Sequence, residues 1–307
     1  MTKNNNTTFL SKLVKWLWFG FLIGILSFLL LMLLVQFEVF GKLPDITELE
    51  NPESQIASEV YSSDEILLGK IFTQNRSNVL YDDLPSHLVD ALLATEDIRF
   101  RDHAGVDVRG TIRAVAFLGK RGGASTITQQ LAKNLFHKRP NSTIQRVLQK
   151  LKEWNIAAKL ERLYTKDEIA TFYLNTVEFV HGAFGIKSCA RTYFNKDVEN
   201  LTIEEAAVIV GMLKNPSRLN PKSHPNDSRN RRNVVLRQMQ KYDFIPEILA
   251  DSLVQLPIDL NFAQTDHNTG LATYLREQIK MELKKLTEDN PMVNGDTYYI
   301  YKDGFKI

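Results

Sequence analysis

The chain has 307 residues, a formal net charge of +2 and a hydrophobic fraction of 44%. This length suffices for a sizeable core and about two domains, and the balanced charge excludes bulk binding of nucleic acid. Cys189 is the single cysteine of the sequence, which excludes an internal disulfide bond and a thiolate metal cluster and predicts a small buried side chain.

The first predicted element is an uncharged stretch from Trp16 to Phe37, WLWFGFLIGILSFLLLMLLVQF. Its 22 residues would cross about 30 Å of hydrocarbon as a helix, and the stretch is too long for a typical signal peptide. Three lysines and no acidic residue precede it, at Lys3, Lys12 and Lys15. Because positive charge favours the cytoplasmic side, we predict a cytoplasmic tail over residues 1–15, a transmembrane helix over 16–37 and an extracytoplasmic remainder.

The rest of the chain divides into three predicted parts. Residues 38–80 mix prolines, acids and two short β-like runs, IASEVYSS and EILLGKIF, which indicate a membrane-proximal connector. Helical periodicity dominates residues 81–265, the predicted main domain. Residues 266–307 combine a charged amphipathic helix with a strand-like segment, TYYIYKDGFKI. Within the main domain the spacing of apolar residues predicts helices over Leu88–Thr95, Val147–Ala158, 165–175, 201–213 and 227–241, and Thr202 with Glu205 forms a predicted capping box.

Residues 120–137, KRGGASTITQQLAKNLFH, place two glycines and small polar side chains directly before a helical segment. Ser125 or Thr126 is suited to cap that helix, so its free N–H groups and positive end would face an anion. The alternative is an ordinary turn, because Gly-Gly commonly serves turns. Cations that would add charge for binding phosphate oxygens follow at Lys133, Arg146 and Lys150.

Two glutamates stand on predicted helix faces among apolar residues. Glu96 ends an apolar stripe that begins at Val89, and burial there would suit its carboxylate to proton transfer. Glu153 shares a helix face with Ile156 and with the cation Lys150. The alternatives are a solvent-facing acid at a helix end for the first glutamate and a solvated i, i+3 ion pair for the second.

Six sequence blocks follow one another over roughly residues 55–265: ATEDIRFRDHAGVD, GGASTITQQLAKNLF, KLKEWNIAAKLERLYTKDEIATFYLN, GAFGIKSCARTYF, LTIEEAAVIVGMLKNPSRLNP and RRNVVL. In content and order they resemble the signature blocks of the peptidoglycan glycosyltransferases, the family-51 domain of class A penicillin-binding proteins. The resemblance implies a mainly α, lysozyme-like, two-lobed domain on a single N-terminal transmembrane helix. It also implies an enzyme that polymerises lipid II outside the bacterial inner membrane into β-1,4 glycan, with inversion and release of undecaprenyl diphosphate.

The resemblance also implies roles for individual residues. Glu96 matches the family's general base, and Glu153 matches its second essential acid. Residues matching contacts to the donor's pyrophosphate are Ser125, Gln130, Lys133 and Lys150, and those shaping the acceptor side are Asp97, Phe100 and His103. The predicted substrate-binding set is completed by Thr126, Gln129, Asn134 and Arg146. No metal ligands and no required cofactor are predicted, and a divalent cation, Mg²⁺ or Mn²⁺, at the diphosphate is left open.

The blocks depart from the family's usual pattern at three places. Ala124 stands where a glycine is usual, and alanine tolerates fewer backbone angles. Gln149 stands where an arginine is common, with Arg146 about one helical turn earlier. After YLN, residues 178–180 read EFV in place of an aromatic residue, Phe and Gly. These differences predict a rearranged pyrophosphate site and an altered loop, while both glutamates are retained.

Two other functions are left open by the sequence. A lytic transglycosylase or muramidase also uses a catalytic glutamate on a lysozyme-like fold, but it needs no cation cluster for a diphosphate. A non-catalytic, membrane-tethered cell-wall scaffold would need neither glutamate. The predicted partners are lipid II, the growing glycan chain, the membrane and the cell-wall synthesis machinery, without nucleic acid.

The transpeptidase motifs of class A penicillin-binding proteins are not found after the predicted anchor. Neither Ser-x-x-Lys nor Lys-Ser/Thr-Gly occurs there, so we expect no transpeptidase activity from this chain. The terminal strand-like segment resembles the start of the linker that leads to the transpeptidase domain. We therefore favour a fragment of a bifunctional protein over a monofunctional enzyme.

Overall fold

The computed structural model describes residues 5–44, 58–65, 67–71, 75–76, 79–117, 123–136, 140, 142–263, 278–279, 281–283 and 285–286. The predicted C-terminal strand lies outside these residues, as does most of the predicted amphipathic helix before it.

The described chain is mainly α-helical, as predicted. Its helices are α1 (Asn5–Gln36), α2 (Ser86–Glu96), α3 (Val108–Ala116), α4 (Ile127–Phe136), α5 (Thr143–Leu163), α6 (Lys166–Thr176), α7 (Gly185–Phe194), α8 (Ile203–Met212), α9 (Pro225–Lys241) and α10 (Glu247–Gln255). Short 3₁₀ turns occur at Tyr81–Asp83, Phe100–Asp102 and Val198–Asn200. The helices predicted from long amphipathic periodicity are confirmed, whereas α3, α7 and α10 are not among those that the periodicity predicts.

The first helix contains the predicted membrane span. Its segment Ser11–Gln36 has 26 residues and a mean hydropathy of 2.6, which is long and apolar enough to cross a membrane. Most of its large apolar side chains are exposed. The ring of Phe28 contacts the ring of Trp154 on α5, with centroids 6.0 Å apart, so the apolar helix meets the main domain at α5.

The two β-like runs of the connector form a small sheet. Strands β1 (Ser58–Tyr61) and β2 (Leu67–Ile71) pair antiparallel, with Val60 opposite Gly69. A register shift follows Val60, and the pairing continues with Tyr61 opposite Leu67. The prediction of short strands in this segment is therefore confirmed.

A second sheet joins the connector to the main domain. Strand β3 (Asn75–Arg76) pairs parallel with β5 (Ala183–Phe184), which pairs antiparallel with β4 (Glu178–Phe179). The turn between β4 and β5 contains His181 and Gly182, with φ of 67° and 71°. The unusual EFV sequence after YLN therefore enters a tight hairpin, whose glycine supplies one of the two left-handed positions.

The helices form two groups around one hydrophobic core. Helix α2 packs against α8 and α9, and α4 packs against α5 and α6. Helix α7 contacts α6 and α8 and so joins the two groups. Cys189 of α7 is fully buried in this core, as predicted, and burial raises the pKa of its thiol well above its ordinary value.

Capping boxes define where α6 and α8 begin. Thr202 Oγ1 accepts a hydrogen bond from the N–H of Glu205, and Glu205 Oε2 accepts one from the N–H of Thr202 at 2.9 Å. This confirms the predicted box. Thr165 and Glu168 form the same reciprocal pair at the start of α6. The pattern Thr-x-x-Glu thus satisfies otherwise unpaired N–H groups at both helix starts.

Gly105 brings the loop after α2 into contact with α5. Its φ is +86°, and a Cβ at this position would lie 2.9 Å from the carbonyl oxygen of Ala157. The carbonyl oxygen of Gly105 accepts a hydrogen bond from Thr126 Oγ1 at 2.6 Å. Glycine therefore permits both the left-handed backbone and the close approach that positions the start of α4.

We expect Gly105→Ala to lower the free energy of unfolding. The loss should exceed the cost of placing alanine at a positive φ by about 1–3 kcal/mol, because the new Cβ also meets Ala157. The matched control is Gly182→Ala, because Gly182 has a φ of +71° but no heavy atom within 4 Å of where its Cβ would stand. Thermal or urea unfolding in detergent compares the two variants. Equal losses of stability would contradict an effect of the Ala157 contact.

Candidate active site

A cleft of about 690 Å³ opens between the two helix groups. Its walls come from the end of α2 and the following loop, from the start of α4, from α5, and from α9 with the residues that follow α8. Glu96 and Glu153 both line it. The two glutamates, which the sequence places on separate helices, therefore face one shared space.

Glu96 is the last residue of α2 and is held from two sides. Its side chain is 16% exposed. Oε2 accepts a hydrogen bond from Gln130 Nε2 at 3.0 Å, and Oε1 lies 3.9 Å from Nη2 of Arg231 on α9. The alternative of a helix-end acid that points at bulk water is therefore wrong.

Gln130 is itself held by a buried tyrosine of α6. Tyr173 Oη donates a hydrogen bond to Gln130 Oε1 at 2.9 Å, and Tyr173 is 2% exposed. Burial raises the pKa of Tyr173, and the nearby charge of Glu96 raises it further. The tyrosine hydroxyl therefore stays protonated and serves as a hydrogen-bond donor.

Glu153 lies on α5 with its side chain 6% exposed. Its Oε2 pairs with Lys150 Nζ at 3.0 Å, and its Oε1 accepts a hydrogen bond from Gln149 Nε2 at 3.1 Å. Lys150 Nζ also donates to Ser125 Oγ at 2.9 Å. The i, i+3 pair is thus present, but its carboxylate is buried rather than solvated.

Two N–H groups at the start of α4, those of Ile127 and Gln129, are bonded within the protein rather than free for an anion. Thr126 caps the helix, because its Oγ1 accepts a hydrogen bond from the N–H of Gln129 at 3.1 Å. The N–H of Ile127 donates to Asp97 Oδ2 at 3.1 Å, and His103 Nε2 bonds the same carboxylate at 3.0 Å. Asp97 is buried and needs such donors, so it occupies the positive helix end itself. The positive side chains that line the cleft offer a second source of positive charge for a ligand.

Positive side chains outnumber negative ones along the cleft. Seven Lys and Arg residues line it in the described part of the chain, against four Asp and Glu residues. Lys133 and Lys150 were predicted from the sequence. The reasoning from sequence missed five others, Arg99, Arg113, Lys214, Arg231 and Lys241. Arg99, Lys214 and Arg231 each belong to one of the six sequence blocks, which is the signal that could have revealed them, whereas Arg113 and Lys241 lie outside the blocks.

The structure brings most of the predicted residues together. Those that line the cleft with the two glutamates are Asp97, Ser125, Thr126, Gln129, Gln130, Lys133 and Lys150. Four others are not among the described lining residues. Phe100 is buried, with its ring centroid 6.2 Å from that of His103, and Asn134 and Arg146 are exposed on their helices. The substrate-binding roles of all these residues stay predictions.

The structure accommodates two of the departures from the family pattern, Ala124 and Gln149, without strain at either position. Ala124 lines the cleft, and its φ is not positive, so a glycine is not required there. Gln149, at the position where an arginine is common, donates its amide to Glu153. Glu153 therefore accepts hydrogen bonds from a neutral donor, Gln149, and from a charged one, Lys150.

A smaller cavity of about 310 Å³ adjoins the cleft on the side of the apolar helix. Ser125 and Lys150 line both spaces. The smaller cavity extends past Ala114 of α3 to Trp154 of α5, whose ring contacts Phe28 of α1. The positively charged end of the cleft thus lies next to a space that leads toward the apolar helix.

Among the described residues, no group of three or more His, Cys, Asp and Glu side chains is placed to hold a metal ion. Both carboxylate oxygens of Glu153 already accept hydrogen bonds, from Gln149 and Lys150. The divalent cation that the sequence leaves open stays a prediction.

Asp107 is a further acid of the cleft wall. Its carboxylate accepts hydrogen bonds from Arg99 Nη2 and, at 2.9 Å, from the N–H of Gly110. Burial raises the pKa of Asp107, but the hydrogen bonds from Arg99 and Gly110 and the charge of Arg99 outweigh it, so the pKa lies below its ordinary value. The ionised carboxylate is thus the form that the folded protein favours.

Asp107 should make stability depend on pH in the acidic range. Because its folded pKa is depressed, its contribution is complete above the unfolded value of about 3.9 and is lost as pH falls through the folded pKa. We expect Asp107→Asn to lower Tm at pH 6 and the difference from wild type to shrink toward pH 3. Asp243→Asn, at an exposed acid, is the control and should change Tm little at either pH. A constant difference for Asp107→Asn would contradict the linkage.

Comparisons with known proteins identify the family to which the chain belongs. A family model described as Transglycosylase matches residues 64–240. Penicillin-binding protein 1A of Escherichia coli is 37% identical over 270 residues, covering 87% of this chain and 30% of the relative. Penicillin-binding protein 1A of Pseudomonas aeruginosa is 35% identical over 301 residues, covering 96% of this chain and 35% of the relative. The chain belongs to the transglycosylase family, and it spans about a third of the length of these curated relatives.

A solved structure is also similar. The crystal structure of penicillin-binding protein 1A from Haemophilus influenzae shares 24% sequence identity with this chain. The match covers 80% of this chain and 26% of that one, with a TM-score of 0.43.

Proposed function

We propose that this protein is a peptidoglycan glycosyltransferase that polymerises lipid II into β-1,4 glycan strands with inversion and release of undecaprenyl diphosphate. The observation that carries the proposal is that Glu96 and Glu153 line one cleft, with positive side chains beside the second glutamate. Membership of the transglycosylase family and the penicillin-binding relatives support the same class of reaction.

Glu96 is the proposed general base. The attacking group is the 4-hydroxyl of an N-acetylglucosamine unit, and a positioned carboxylate that accepts its proton contributes about 10²–10⁴ in rate. Gln130 donates a hydrogen bond to this carboxylate, and the guanidinium of Arg231 lies 3.9 Å from its other oxygen. The proton passes to Glu96, the sugar oxygen bonds to C1 of the donor, and the bond from C1 to the diphosphate oxygen breaks.

The leaving diphosphate requires neutralisation more than protonation. Lys150 lies between Glu153 and Ser125, and Lys133 lines the same cleft. Glu153 could orient Lys150, bind a divalent ion near the phosphates or assist the leaving group, and these contacts favour the orientation of Lys150 toward the diphosphate. Attack from the side of the sugar opposite this leaving group inverts the anomeric centre and yields the β-linkage.

Lipid-linked substrates suit the apolar surroundings of the cleft. The adjoining cavity ends at Trp154, which contacts the apolar helix α1. Apolar side chains are exposed on α3 and directly after it, at Val108, Ile112 and Phe117, and on α5, at Ile144 and Val147. With the N-terminal lysines on the cytoplasmic side, the proposed location is the bacterial inner membrane, with the cleft on its outer side.

We expect Glu96→Gln to reduce lipid II polymerisation by about 100-fold or more, because an amide cannot accept the proton. Glycan chains separated on a gel measure the reaction, and Glu199→Gln, at an exposed acid, is the control. A Glu96→Gln variant that kept most of its activity would exclude this base. Release of sugars from purified sacculi, without polymerisation, would instead support the glycan-cleaving alternative.

Deletion of residues 1–37 should lower polymerisation in membranes, because donor and acceptor both diffuse within the bilayer. The two proteins are compared on lipid II in vesicles and in detergent, where the anchor gives less advantage. Tm in detergent serves as a control for folding, since Phe28 contacts the main domain. Equal rates in vesicles with and without the segment would exclude a role of the anchor in substrate access.

A further inference from the structure

We propose that Tyr173 is a positioning residue for Glu96, because it holds Gln130 in the orientation that hydrogen-bonds the proposed base. The inference rests on the proposed function, in which Glu96 accepts the proton of the attacking hydroxyl. Tyr173 does not line the cleft, and its hydroxyl acts through the side chain of Gln130.

The amide of Gln130 has a defined orientation for a chemical reason. An ionised carboxylate only accepts hydrogen bonds, so the group that faces Glu96 Oε2 at 3.0 Å must be the amide NH₂. The carbonyl oxygen of Gln130 then points the other way and requires a donor. Tyr173 Oη supplies it at 2.9 Å. The carboxylate and the tyrosine thus set the same orientation of the amide, the carboxylate by accepting from its NH₂ group and the tyrosine by donating to its carbonyl oxygen.

Tyr173 is suited to this role because it stays protonated. Its side chain is almost fully buried, and burial together with the charge of Glu96 raises the pKa of its hydroxyl. A phenol O–H that donates to an amide carbonyl also polarises that amide and strengthens its N–H as a donor. The three groups thus form one chain of hydrogen bonds from α6 through α4 to the end of α2.

The other groups around Glu96 do not replace this hydrogen bond. Arg231 of α9 faces Oε1 at 3.9 Å, which is beyond hydrogen-bonding distance. Asp97, the next residue, is engaged by His103 and by the N–H of Ile127. Lys133 lines the cleft on α4 with an exposed side chain. Gln130 therefore fixes Oε2, and Oε1 is left toward Arg231 to accept the proton of the substrate.

Removal of the tyrosine hydroxyl has a specific consequence. Without its donor, the carbonyl oxygen of Gln130 loses its hydrogen bond, so the amide is held less firmly and its N–H is a weaker donor to the carboxylate. The ionised carboxylate is then less favoured, so the acid limb of the pH–rate profile moves to higher pH. The carboxylate also loses its fixed direction, which lowers kcat more than it changes KM.

Tyr173→Phe tests the inference on the full chain with lipid II. We expect kcat to fall about tenfold, the factor for one hydrogen bond of ordinary strength. KM should change little, and the acid limb should move to higher pH. Tyr193→Phe is the matched control. Tyr193 is also buried, and it does not line the cleft. Its hydroxyl accepts a hydrogen bond from Asn220 Nδ2 at 2.8 Å, so this variant also loses one buried hydrogen bond. An unchanged profile for Tyr173→Phe, or the same change in Tyr193→Phe, would overturn the inference.

A double-mutant cycle with Gln130→Leu separates positioning from a general loss of packing. Because Tyr173 acts through Gln130, Tyr173→Phe should cause no further loss of kcat on the Gln130→Leu background. Independent, multiplicative losses would show that the tyrosine acts by another route. Should Tyr173→Phe fail to fold, Gln130→Leu alone must still move the acid limb, and an unmoved limb would overturn the inference.

A spectroscopic titration distinguishes failure of this inference from failure of the proposed function. With ¹³C-labelled glutamate, the carboxyl signal of Glu96 is assigned by its absence in Glu96→Gln. Its titration should shift to higher pH in Tyr173→Phe and not in Tyr193→Phe, whether or not the protein polymerises lipid II. Wild-type protein without polymerisation would refute the proposed function, whereas an unshifted titration would refute the positioning role.

Discussion

The buried carboxylate of Asp97 holds the two sides of the cleft together. It follows directly after Glu96 at the end of α2, and it accepts the N–H of Ile127 at the start of α4. Gln130 lies one turn further along α4, so this single bond sets the spacing at which Gln130 reaches Glu96. His103 supplies a second donor to the same carboxylate, which offsets the cost of burying its charge. This tie therefore links the helix that carries the proposed base to the helix that carries its hydrogen-bond donor.

The charges of the cleft are divided between two ends. At one end, Oε2 of Glu96 accepts a hydrogen bond from the neutral amide of Gln130, and Oε1 lies 3.9 Å from Arg231. Oε1 is therefore left to take a proton. At the other end, Lys150 is shared between Glu153 and Ser125 and presents a fixed positive charge. A reaction that removes a proton at one centre and expels a diphosphate at the other needs this separation. A glycan-cleaving enzyme, which protonates a sugar oxygen, does not.

Features set by local sequence were predictable, and those set by tertiary contact were not. The capping box of Thr202 and Glu205 and the long amphipathic helices follow from residues within a few positions of one another. Helices α3, α7 and α10 have nine or ten residues each and begin without a Ser/Thr-x-x-Glu capping box, so no local start signal of this kind marks them. The resemblance of the sequence blocks selected Glu96 and Gln130, but the contact between them spans 34 residues of sequence. Nor could the sequence show that Asp97 would occupy the helix end that an external anion was expected to bind.

The catalytic domain is attached to its anchor at more than one point. Strand β3 of the connector pairs with β5, Val79 exchanges two hydrogen bonds with the side chain of Asn175, and Phe28 of α1 contacts Trp154. A domain joined by a single flexible linker can rotate freely, whereas a domain held by several contacts keeps its orientation. The contact of Phe28 with Trp154 therefore ties the orientation of α5, a wall of the cleft, to that of α1. In the proposed reaction, a lipid-linked sugar that diffuses within the membrane plane would then approach the cleft from a defined side.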